Sequence, residues 1–223
     1  VIGALILAGV FWAMGGLGIA QLPPPPVPPS PANPEEPAVL VWSQERPLQW
    51  EDFWGHPPEE RGKKEAANIA LVLEYAAAWE VFYDGIMKNW GARLTQFTSR
   101  AYMDRSRSWV LPHHRTPALL QHEQGHFDLL EVFRRVLEKE LRGLVGVFVR
   151  GETKEAAEQR LKELLARVYA RVWQAHACWQ ARYDRDTDHG RDEVRQREWE
   201  RRIARWLQDP AALPSLRDFE GGC

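Results

Sequence analysis

Hydrophobic residues run unbroken at the start of the chain, vanish through a proline tract, alternate through its middle, and then recur every three or four positions. Val1 to Ala20 carries no charge and includes Ile2, Leu5, Ile6, Leu7, Val10, Phe11 and Trp12. Such a run suits the apolar core of a signal sequence or a membrane anchor of about 20 residues. The chain does not begin with methionine, so a basic stretch before the run is expected to have been trimmed. Pro23-Pro24-Pro25-Pro26 then opens a segment that cannot build a core and favours extended polyproline II. The expected organisation is a signal or anchor over 1–21, a proline-rich linker over 22–38 and a folded domain over 39–223.

Within that domain, Ile69, Leu71, Leu73 and Tyr75 alternate with other residues, as do Trp79, Val81 and Tyr83 before the turn signal Asp84-Gly85. Ala76 to Trp79 suits helix or strand equally. Arg93, Thr95 and Phe97, then Ala101 to Met103, continue the strand pattern, and Ser108-Trp109-Val110-Leu111 ends at Pro112. A small, mostly antiparallel sheet is expected here. Before it, Leu48 to Pro57 is read as a short strand or irregular segment, anchored by Trp50 and Phe53, with His56 solvated.

The period then changes. Thr116-Pro117 supplies a hydroxyl cap and a proline at the first helical position. The helix is expected to reach about Leu144 and to end at Gly143 or Gly146. Its stripe runs through Leu119, His122, His126, Leu130, Phe133, Leu137 and Leu141. After a connection over Val145 to Gly151, Thr153 caps a second helix carrying Leu161, Leu165, Val168, Val172, His176, Trp179 and Tyr183. That helix is expected to end near Tyr183, leaving Asp184 to Gly190 as a polar loop. A third helix, from Asp192 to about Leu207, buries Trp199 and Trp206. The fold class is therefore α+β: a small antiparallel sheet, a helical hairpin and a further C-terminal helix.

Charge narrows the function classes. The 223 residues carry a net charge of −2 with acidic and basic residues interspersed, leaving no electrostatic footprint for nucleic acid. A mean hydropathy of −0.47 fits a water-soluble chain beyond Ala20. Cys178 and Cys223 are too few for a disulfide framework or a paired-cysteine metal site, and are expected to be two unrelated thiols, with one disulfide between them as the alternative in an oxidising compartment.

The chemistry lies at His122-Glu123-Gln124-Gly125-His126. Two histidines four apart leave the same helix face and can share one metal ion, with Glu123 beside its open position. A catalytic zinc site needs a third protein ligand and a position for water. Antiparallel packing of the two helices places His176 alongside His122, and His189 lies in the loop near the start of the first helix. Both are within reach. Asp184, Asp186 and Asp188 offer alternative ligands or acceptors for imidazole N–H.

Leu48–Pro57 (L-x-W-x-D-F-x-G-x-P), Arg107-Ser108-Trp109, Leu119–Leu129 (L-L-x-H-E-Q-G-H-F-D-L) and Tyr183–Gly190 (Y-D-x-x-T-x-H-G) follow one another in this chain. That order resembles a bacterial family catalogued as domain of unknown function 922, whose label as secreted zinc-dependent proteases rests on the histidine motif. The resemblance spans Leu48 to Trp199 and accommodates Asp128, where other zinc proteases carry an apolar residue. It implies a zincin-like fold and favours His189 over His176 as third ligand.

The expectation is thus a zinc-dependent metallopeptidase acting on peptide or protein outside the cytoplasm, secreted or in the periplasm or cell envelope, with the N-terminal run either cleaved as a signal or kept as a tether. His122, His126 and His189 hold Zn²⁺, Glu123 acts as general base, and Tyr183 or Arg185 stabilises the oxyanion. His176, Asp184 and Asp188 are the alternative ligands or supporting groups. The rival expectation is an envelope scaffold protein whose zinc is a structural cross-link.

Overall fold

The structure, a computed structural model, describes residues 2–12, 37–58 and 65–222. Strand β1 (Ile2–Trp12) pairs antiparallel with β4 (Ala70–Asp84). The expected signal or anchor covers β1 together with residues outside the described set, where most of the proline-rich linker also falls. No helix among the described residues is long and apolar enough to cross a membrane.

Strand β2 (Val39–Val41) precedes a short 3-10 turn over Trp50–Asp52, and β3 (Ala67–Asn68) leads into β4. Strand β5 (Asn89–Asp104) returns antiparallel to β4, β6 (Trp109–Val110) pairs with β3, and α1 (Pro117–Arg142) follows. Strand β7 (Phe148–Gly151), α2 (Lys154–Thr187), α3 (Glu193–Gln208) and α4 (Leu216–Gly221) complete the order. The main sheet runs β1-β4-β5-β2, with β7 pairing the opposite end of β5 from β2. The architecture is α+β, as the periodicities predict.

Alternation on β4 decides which face meets the helices. Leu71, Leu73, Tyr75, Ala77, Trp79 and Val81 are buried, whereas Glu74 and Glu80 pair across the outer face with Arg100 and Arg93. Opposite them, Ala78 faces Gln96 but Trp79 faces Leu94, so Thr95 is an extra residue on β5. This bulge switches the inward set from odd to even numbers, which is why Arg93 and Thr95 do not share the buried face of Phe97. The Thr95 hydroxyl binds the Ala78 carbonyl at 2.9 Å there.

Helices α1 and α2 form the expected hairpin on the buried face, and α3 packs against both. Thr116 caps α1 by accepting from Leu119 N, with Pro117 at the first position, and Thr153 caps α2 in the same way. Two expectations change here. The connection over Val145 to Gly151 contains β7, which carries the chain along β5 before α2 begins. The helices therefore do not start level: Tyr183, not His176, stacks on His122, and His176 lies beside Phe133. In addition, α2 continues one turn past Tyr183, so Asp184 belongs to the helix and not to a loop.

The Leu48–Pro57 segment is irregular, with Leu48 and Phe53 buried. Its Asp52 is fully buried between Arg46 and Arg105, at 2.5 and 2.6 Å. Trp199 and Trp206 are buried as predicted, around Trp179 and Phe219. The short helix α4, which brings Phe219 there, has no counterpart in the sequence-based expectation. Cys178 is disulfide-bonded, which favours the alternative over two unrelated thiols, and Cys223 lies outside the described residues.

Candidate metal centre

One turn of α1 sends His122 and His126 to the same side, and the last turn of α2 brings Asp184 between them. Asp184 Oδ1 lies 3.1 Å from His122 Nε2 and 2.9 Å from His126 Nε2, and the two Nε2 atoms are 3.1 Å apart. These three groups form a cluster that can hold a metal ion. Both histidines are 2% exposed.

The other ring nitrogens have their own partners. His126 Nδ1 meets Gln180 Oε1 at 2.5 Å, and His122 Nδ1 meets Gln196 Oε1 at 3.3 Å. An amide oxygen only accepts, so each Nδ1 carries the proton and donates it. Each neutral imidazole then turns a bare lone pair at Nε2 towards Asp184. Three lone-pair atoms converging within hydrogen-bond distance require a cation among them, a proton or a metal.

The electrostatics favour a proton in that place. Burial acts to lower His126, yet the charge and hydrogen bond of Asp184 raise it to about 9. Burial acts to raise Asp184, but His126 and hydrogen bonds from His122, His126 and His189 hold it far below the usual carboxylate range. His122 is lowered, chiefly by burial. A tetrahedral ion with bonds of about 2.0–2.1 Å spaces its ligand atoms by roughly 3.3 Å. The observed spacing is a few tenths of an ångström tighter, and the donor set of two imidazoles and one carboxylate fits a divalent metal.

Glu123, next along α1, lies in the same cleft of about 480 Å³, which Glu65, Asn68, His114 and Arg191 also line. Only 5% exposed, its carboxyl is pushed up to about 7 by burial, with the His126 charge acting in the opposite direction. Such a carboxylate is poised to exchange a proton near neutrality.

The remaining sequence-predicted groups fall elsewhere. His189, in left-handed backbone after α2, is exposed, and its Nδ1 is 3.5 Å from Asp184 Oδ1. It stands beside the converging trio, whose third member is Asp184, one of the alternative ligands read from the sequence. His176 is fully buried beside Phe133 and Trp173 and faces Gln180, not the cleft. As the left-handed cap of α2, Asp188 is exposed and takes no part in the cluster. The Tyr183 hydroxyl donates to the His122 carbonyl and accepts from Gln196, so it does not present an oxyanion donor to the cleft. Arg185 is exposed.

Several letters of the two motifs have a physical job. Gln124 accepts from Leu48 N and donates to Asp128, and Asp128 also accepts from the Trp42 indole, so this pair clamps the N-terminal segment onto α1. A side chain at Gly125 would overlap the Tyr183 hydroxyl. Thr187 accepts from Gly190 N, and a Cβ on Gly190 would come within 2.9 Å of His122. The model of the family described as bacterial protein of unknown function, DUF922, matches residues 93–190.

Residues 93–190 resemble the DUF922 family.

The DUF922 match covers every member of the cluster and leaves Leu48–Pro57 outside it. No curated protein and no solved structure matches the chain. Gln180 and Gln196 are the site residues that the motifs did not reveal. Their signal was a polar residue at an apolar-stripe position: Gln180 follows His176 by four, and Gln196 precedes Trp199 by three.

Proposed function

We propose that this chain is a zinc-dependent hydrolase that cleaves peptide bonds outside the cytoplasm. The observation that carries the reading is the convergence of His122 Nε2, His126 Nε2 and Asp184 Oδ1 beside the buried Glu123 in an open cleft. His122, His126 and Asp184 would hold a divalent ion, which would supply Lewis acidity to polarise a carbonyl and acidify water. Glu123 would take a proton from water in the cleft and pass it to the leaving amine, a role suited to a carboxyl pushed up to about 7.

Strand β3 supports a peptide substrate. Among the described residues it pairs only with β6, and Ala67 and Asn68 line the cleft whereas β6 does not. Its unpaired edge can add an extended chain by backbone hydrogen bonds. The disulfide at Cys178 supports an oxidising compartment.

His189 favours a second reading. Its closeness to Asp184 lets it close the site as a fourth ligand, giving a structural metal in a scaffold protein. Metal content, a peptide-library digest and the Glu123→Gln variant separate the two. The hydrolase reading expects stoichiometric zinc in both proteins and a loss of about 10²–10⁴-fold in turnover for the variant. Zinc without turnover, with unfolding on chelation, supports the scaffold.

A further inference from the structure

Behind His126 lies a buried chain of hydrogen bonds that the proposed reaction does not use. Gln180 Nε2 donates to the His126 backbone carbonyl at 2.9 Å and approaches His176 Nε2 at 2.8 Å, and Gln180 Oε1 meets His126 Nδ1 at 2.5 Å. His176 and Gln180 are fully buried, one turn apart on α2.

The orientation of this amide is fixed by its neighbours. A carbonyl oxygen at 2.9 Å tolerates only a donor, so that end of Gln180 is the NH₂ group. Its second hydrogen points to His176 Nε2, which must therefore accept. The other end is then the oxygen, and His126 Nδ1 must carry the hydrogen that meets it. Every choice follows from the one before, because His176 and Gln180 are both shielded from bulk water.

We propose that His176 and Gln180 form a buried relay that holds His126 with Nδ1–H directed away from the cleft and Nε2 presented to the metal. This rests on the metal-site reading above. His176 is then a positioning residue, two hydrogen bonds removed from the ligand atom. Gln180 is a neutral acceptor where a carboxylate would make the imidazole more basic. Without His176 one amide N–H loses its acceptor, and the amide is free to turn its oxygen away from His126.

The test compares Gln180→Leu, Gln180→Glu, His176→Leu and His176→Gln in the full chain. Zinc affinity is read by competition with a chelator, and exchange protection of the His126 Nδ1 proton by NMR, with and without zinc. The parent is expected to show a protected proton in both states. Gln180→Leu should lose the protection and bind zinc about 10- to 100-fold more weakly, and His176→Leu about tenfold more weakly. His176→Gln, which offers an acceptor at the same position, should restore both. Gln180→Glu keeps the acceptor for Nδ1 and should retain the protected proton, which serves if the leucine variant does not fold. An unprotected proton in the parent, or unchanged affinity in His176→Leu, overturns the relay. A parent that binds no zinc ends the hydrolase reading instead, and the proton still reports on the hydrogen bonds.

Discussion

The Tyr183 hydroxyl occupies the space that a side chain at Gly125 would fill, and from there donates to the His122 carbonyl at 3.1 Å. The tyrosine ring lies flat on the His122 imidazole, 4.7 Å between centroids. Gly125 is thus the reason that α1 and α2 approach closely enough for Asp184 to reach both histidines. Alanine here would gain about 1 kcal/mol of helix propensity. Steric overlap with a buried ring should outweigh that gain. Gly125→Ala is expected to cost about 1–3 kcal/mol net in chemical denaturation and to weaken metal binding. An unchanged midpoint with unchanged affinity would show that the close approach is unimportant.

Metal binding should expel a proton. His126 is held at about 9 by Asp184, so between pH 7 and 9 its Nε2 carries a hydrogen that an ion must displace. Apparent zinc affinity should therefore rise about tenfold per pH unit up to about 9 and then level off. Competition titrations across this range, with calorimetry in buffers of different ionisation enthalpy, measure it. A flat profile from pH 7 to 9 would contradict the pairing of His126 with Asp184.

His176 should make the metal-free protein acid-sensitive. Burial depresses it from 6.5 to about 3, with the His126 charge acting in the same direction. Between those values the unfolded chain binds the extra proton. The stability linked to this group is whole above pH 6.5 and is lost as pH falls towards 3, at about 1.4 kcal/mol per pH unit. Urea melts of the metal-free parent and His176→Leu should converge as pH drops through this window. Parallel curves would show that His176 does not titrate there.

The buried pair Asp52–Arg105 locks the Leu48–Pro57 segment to the sheet. Asp52 is fully buried and accepts from Arg46, Gln49 N and Arg105, which together hold its carboxyl below the usual range although burial acts to raise it. Removing one partner strands the other charge. Asp52→Ala is expected to cost about 3–5 kcal/mol, measured by denaturation, whereas Arg46→Ala at the exposed end should cost much less. Equal losses for the two variants would refute this division.

The sequence by itself determined the elements and half of the centre. Period-two alternation over Ile69 to Tyr75 and again over Trp79 to Tyr83 made the sheet legible, although Ala76 to Trp79 suited helix equally until β4 ran through it, and Thr116-Pro117 and Thr153 announced both long helices through local capping chemistry. His122 and His126 were equally legible, because four residues return a helix to the same side whatever surrounds it. The third group was legible only as one of several candidates, with Asp184 an alternative to His189 and His176. Which residue of α2 faces His122 depends on how much chain β7 consumes along β5, a non-local pairing that left Tyr183 opposite His122. The last turn of α2 then placed Asp184 in the cluster and left His189 at its edge. Gln180 and Gln196 came to light only in three dimensions, because an amide becomes an imidazole's partner through packing between helices, and no spacing along one chain encodes that meeting.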